Sequence, residues 1–142
     1  MAIANLHETL LTYTMRIAEL NLEISQLQSE KNLAIYKQSD RAYCKAQDEE
    51  AVRNYFKALY DENPDYGEIY IDYTQIPDFE EEMDKIAAEY SDENAELTAW
   101  ETALDEQITV DSAELEEVKA YKESIKSMLQ SNIQEDFSYA GK

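Results

Sequence analysis

Apolar residues at the start of the chain fall on a strict repeat of three and four. One row is Ile3, Leu10, Ile17 and Ile24, and its companion row is Leu6, Tyr13, Leu20 and Leu27. Alternating steps of three and four put both rows on one side of an α-helix, the pattern of a coiled-coil seam. Lys31 takes the next position, and the register is expected to fail there. Apolar residues resume on another phase at Leu33, Tyr36 and Tyr43, then at Val52, Tyr55, Phe56 and Leu59. No Gly or Pro lies between residues 3 and 60, so one long helix over about 3–60 is the economical expectation, with a break near 40–48 left open as the alternative.

A second patterned stretch follows Pro77. Asp78 stands at the expected N-cap, and Glu80, Glu81 and Glu82 fill the first turn, where the helix dipole favours acids. The seam here pairs Met83, Tyr90, Leu97 and Leu104 with Phe79, Ile86 and Trp100, and Glu93 is its one polar interruption. This helix is predicted to end near residue 109. Asp111-Ser-Ala-Glu114 reads as a capping box opening a third helix over about 112–135. Its stripe is Leu115, Val118, Tyr121, Ile125, Met128, Leu129 and Ile133, and residues 136–142 form a short tail with two aromatics.

Between the patterned stretches lies the strongest break, residues 61–77, DENPDYGEIYIDYTQIP. Ile69 to Tyr73 alternate apolar and polar, which fits a short strand or an extended loop packed against helices. Either way Ile69, Ile71 and Tyr73 are expected to point inward and Tyr66 and Tyr70 outward, as interface residues. The fold class is all-α in one domain, 1–142. The second and third helices together match the first in length. That favours an elongated helical hairpin with 61–77 as its tip over a coiled-coil-like bundle of three helices.

Composition narrows the fold further. Two Gly and two Pro in 142 residues are too few for the turns of a β-sandwich or barrel. No apolar run approaches the roughly 18–20 residues of a membrane span, and no cleavable leader is visible. Cytoplasmic residence is the default expectation, with export lacking a cleaved signal left open.

Charge is concentrated. Residues 61–117 hold 21 Asp and Glu against one base, Lys85, whereas residues 1–60 hold 8 acids and 7 bases. A chain of net charge −20 repels nucleic-acid phosphate and anionic membranes, so protein partners are expected.

Candidate chemistry is sparse. Asp61, Asn63 and Asp65 have the spacing of a calcium loop, with Asp72 at its twelfth position. Tyr66 stands where that loop needs Gly, and Asp72 where it needs Glu, so a solvated turn is the expectation. One His, His7, and one Cys, Cys44, cannot build a zinc site or an internal disulfide. No Gly-flanked Ser and no phosphate loop is present, so no enzyme and no cofactor is expected.

Function is therefore expected to lie in surfaces. The first expectation is a structural protein that self-assembles or forms a helical subunit of a larger assembly. In size and helicity alone the chain is similar to small helical subunits of bacterial filaments and secretion machines. The alternatives are an acidic export chaperone or adaptor, and an acidic decoy for a nucleic-acid-binding protein.

Overall fold

The computed structural model describes residues 2–140. It is all-α: α1 runs Ile3–Glu62, α2 Pro64–Ile69 and α3 Phe79–Ala140, with a 3-10 turn at Tyr73–Gln75. No strand occurs among the described residues. The long α1 packs against α3 as a helical hairpin. None of the described helices is long and apolar enough to cross a membrane. Packing divides the chain into two compact units, Met1–Lys31 with Ala103–Lys142, and Asn32–Thr102.

In the first unit Leu20, Leu115 and Val118 form a buried cluster, against which Tyr13, Ile17 and Ile24 pack. Leu6 is fully buried, and Leu104 and Leu129 are buried further along α3. The Arg16 guanidinium grips Glu114 at 2.8, 2.9 and 3.0 Å, and Lys31 Nζ meets Asp105 Oδ1 at 2.6 Å.

In the second unit Ala34, Phe56, Ile76 and Tyr90 are buried. Phe79 takes edge-on contacts from Phe56 and Tyr73, each with ring centroids 5.4 Å apart. Gln38 donates to Glu101 at 2.9 Å, and Arg41 to Glu93 at 2.6 Å.

Expectations for α1, α3 and the segment between them are corrected. The α1 register does not fail at Lys31. Positions 31, 34, 38, 41 and 45 stay buried or half-buried on the original phase, while Leu33, Tyr36 and Tyr43 are exposed. Lys31, Gln38 and Arg41 hold the seam because each reaches an acid on α3, and Lys45 pairs with Glu49 one turn along α1. Glu93, the interruption of the other seam, is the partner of Arg41. Of the two alternatives for α1, the continuous helix is the one observed, unbroken through 40–48.

The second and third predicted helices are one. Asp111 caps nothing: it lies mid-helix on the phase of Leu104, Ile108, Leu115 and Val118, and is 3% exposed. No Gly or Pro separates residues 105–115, so the backbone ladder continues through a side-chain pattern that locally mimics a cap. The expected tail is helical as far as Ala140; Gly141 and Lys142 lie outside the described residues.

The segment 61–77 is neither strand nor loop throughout. Pro64 sits at the start of α2, where its missing N–H costs nothing. Asp72 caps the 3-10 turn through Thr74 N–H at 2.9 Å. An alternation of two therefore has no sheet face to serve. Ile69 and Ile71, expected inside, are 67% and 84% exposed. Tyr73 is half-buried against Phe79.

Candidate interaction surfaces

The second unit ends in an aromatic groove. Tyr60 ties the segment down by donating its hydroxyl to the carbonyls of Tyr70 and Ile71, both at 3.2 Å. Tyr66 and Tyr70 are half-buried and stack obliquely with centroids 5.7 Å apart. With Tyr55, Phe56, Asp78 and Glu82 they line an open groove of about 580 Å³. Asp78 holds φ at 77°, the left-handed region, immediately before α3 begins. Asp tolerates that region better than most residues. The turn lets its carbonyl accept Glu82 N–H at 2.9 Å, so the helix starts there through the backbone.

The calcium-loop candidates do not assemble. Asp61 lies in the last turn of α1, Asn63 donates its side-chain amide to Leu59 carbonyl at 2.8 Å, Asp65 lies in α2, and Asp72 caps the 3-10 turn. Among the described residues no group of three or more His, Cys, Asp or Glu could hold a metal ion. His7 is exposed and Cys44 half-buried, and neither has a nucleophilic or basic neighbour in hydrogen-bond contact.

The polar part of the seam has its own electrostatics. Tyr90 donates to Asp48 Oδ2 at 2.6 Å. That bond, then burial, then the Asp48 charge push the phenol up to about 12, against a smaller downward pull from Arg41, whose guanidinium lies 4.8 Å from the ring centre. Tyr90 and Asp48 are thus bonded to each other, and the Arg41 guanidinium to Glu93.

A second row on α1 escaped the sequence reading. In the first unit, positions 11, 15, 18, 22, 25 and 29 are all exposed, and so are 32, 36, 39 and 43 in the second. Their residues are Leu, Met, Ala, Leu, Ser, Ser, then Asn, Tyr, Ser, Tyr, with no charge anywhere. The steps again alternate four and three. Leu11, Met15 and Leu22 are 60%, 58% and 61% exposed, and Tyr36 and Tyr43 are 67% and 64%. The signal was present in the sequence. Tyr36 and Tyr43, which resume the apolar pattern on another phase after Lys31, belong to this outer row.

The exposed side of α3 has the opposite character. Glu80, Glu81, Asp84, Glu89, Asp92 and Glu96 in the second unit face solvent, as do Asp105, Glu106, Glu116 and Glu117 in the first. No family model, no curated protein and no solved structure matches this chain.

Proposed function

We propose that the chain is a non-enzymatic helical interaction protein that self-assembles, α1 of one copy docking on α1 of another through the uncharged outer row. The observation that carries this is the row itself. Exposed Leu11, Met15 and Leu22 repeat at seam spacing in a protein of net charge −20, with Ala18 between them. A four-three row needs a matching row to cover it, and a second copy supplies one. Copies of an acidic chain repel each other. The α1 row is where two can meet without opposing carboxylates.

The magnitude fits a concentration-dependent contact. A fully buried Leu or Met contributes about 1.5–3 kcal/mol. Six such side chains, each about three-fifths exposed beforehand, give roughly 5–11 kcal/mol. Association costs roughly 4–15 kcal/mol. Weak assembly, strengthened by salt that shortens acid–acid repulsion to about 8 Å, is the expected behaviour.

Light scattering on size-fractionated protein tests this. Mass should rise with concentration and with salt, whereas the double variant Met15→Glu, Leu22→Glu should stay monomeric with an unchanged melting temperature. A wild-type chain that is monomeric across the whole range removes the proposal. The exposed acids of α3 favour a second reading, an acidic adaptor for a basic protein. A monomer that captures one basic partner with a one-to-one stoichiometry is its signature.

A further inference from the structure

We propose that the groove between α1, α2 and the start of α3 is a cation-binding site that takes an arginine or lysine side chain from a basic segment of a partner protein. It goes beyond self-assembly and uses none of the residues of the α1 row.

The lining combines the two features that bind an organic cation. Tyr55, Phe56, Tyr66 and Tyr70 contribute aromatic rings to the lining; Tyr55 is 64% exposed, Tyr66 and Tyr70 are half-buried, and Phe56 is buried behind them. Asp78 and Glu82 supply carboxylates on the same lining. Glu82 accepts from Lys85 at 3.3 Å, while Asp78 has no ion-pair partner among the described residues. A cation within about 6 Å of a ring centre is attracted by the ring's negative face, and a carboxylate beside it adds direct charge. The groove's volume of about 580 Å³ lies within the range of roughly 300–1,000 Å³ usual for small-ligand sites.

Helix ends and long-range charge also bear on the occupant. The N-terminus of α3 by itself disfavours a cation. Its first turn carries Glu80, Glu81 and Glu82, which reverse that field, and α1 ends here with no base in its last turn. Residues 61–82 hold nine acids and no Lys or Arg. Basic segments are therefore drawn towards this end of the chain, and acidic ones are driven off. Charge complementarity selects a basic protein segment over a second copy of this chain, whose seven α1 bases already contact its own carboxylates or rings.

The test uses the peptide Gly-Arg-Gly-Arg-Gly and its citrulline counterpart, which keeps the shape and removes the charge. Binding is followed by amide chemical shifts on the full chain at low protein concentration. Shifts should concentrate at Tyr55, Tyr66, Tyr70 and Asp78 for the arginine peptide, and the citrulline peptide should bind at least tenfold more weakly. Tyr66→Phe with Tyr70→Phe should bind like wild type, since the rings remain. Tyr66→Leu with Tyr70→Leu should lose about five- to tenfold, the size of one or two ring–cation contacts. Tyr55→Leu, an exposed change that leaves the fold alone, should lose a smaller factor in the same direction. Glu116→Gln with Glu117→Gln removes equal charge far from the groove in sequence and should change binding less than Asp78→Asn with Glu82→Gln. Equal binding of both peptides, undiminished binding by the leucine variants, or equal effects of the two charge removals each overturn the site. The Met15→Glu, Leu22→Glu chain should bind the peptide normally, so failure of assembly and failure of this groove are told apart.

Discussion

Asp111 is the residue whose replacement should make the protein more stable. It occupies a seam position at 3% exposure. One carboxylate oxygen accepts from Gln107 Nε2 at 2.8 Å, and the other is buried with no hydrogen-bond partner among the described residues. A buried polar atom left without a partner costs about 1–3 kcal/mol. Asp111→Leu removes that cost and adds apolar burial worth up to about 1.5–3 kcal/mol. Leu is the larger side chain, and fitting it subtracts about 1–3 kcal/mol. Gln107 is exposed and can return its amide to water. The net expectation is a gain of about 1–3 kcal/mol, in line with replacement of other buried charges by apolar residues.

The mirror substitution is Leu20→Asp, which places the same chemistry into the buried Leu115–Val118 cluster. Leu20 is 0% exposed, and an uncompensated buried charge there should cost about 3–5 kcal/mol. Urea titrations followed by circular dichroism at 222 nm measure both. For a chain of this size about 1 kcal/mol corresponds to a melting shift of roughly 3–5 °C. Asp111→Leu should therefore melt higher and Leu20→Asp far lower. An Asp111→Leu chain that melts at or below wild type refutes the expected gain from removing the orphaned carboxylate.

Two further outcomes follow from the polar part of the seam. The Tyr90 phenol is pushed above its ordinary value to about 12 by its bond to Asp48, so the folded state gains stability that is complete below pH 10. That gain disappears as pH rises from 10 to 12; Tyr90→Phe should show a flatter stability profile across this window, and parallel profiles would count against the bond. Arg41→Glu should lower the melting temperature by opposing Glu93, and adding Glu93→Arg to it should restore part of the loss. Simply additive losses in that cycle would show the pair uncoupled.

The helical class and the hairpin were readable because they rest on period and on missing breakers. Eight apolar residues from Ile3 to Leu27 keep one phase, and Pro64, Gly67 and Pro77 gather in one place. The departures along the seams share a physical cause: a seam position need not be apolar. Lys31, Gln38 and Arg41 stay on the seam because long side chains bury their stems and carry the polar head to an acid on the opposite helix. That partner lies 52–98 residues away in the chain, as for Arg41 with Glu93 and Arg16 with Glu114, so no local window reveals it. Asp111 misleads in the other sense. Asp at an N-cap and Asp on a seam look alike until the helix before it is known to continue. The groove was half readable. Clustering of Tyr66 and Tyr70 was visible, but Tyr55, Asp78 and Glu82 join them only through the fold.

The pairing of charges inside the hairpin bears directly on what the outside can do. All seven bases of α1 are engaged: Arg16, Lys31 and Arg41 with acids of α3, Lys45 and Arg53 with Glu49, and Lys37 and Lys57 over the rings of Trp100 and Tyr73. Most of these contacts hold the two helices in register, and they leave few free cations. The outer row of α1 is uncharged, so its contact with another helix is decided by apolar area set against the general repulsion between acidic copies. The acids of α3 outnumber the bases that reach them, so that side remains strongly negative at neutral pH. One helix is thus suited to short-range packing and the other to long-range attraction of basic protein. Reversing the charge of exposed α3 acids should change the salt dependence of partner capture, while changes to Leu11, Met15 or Leu22 should change assembly with little effect on that dependence.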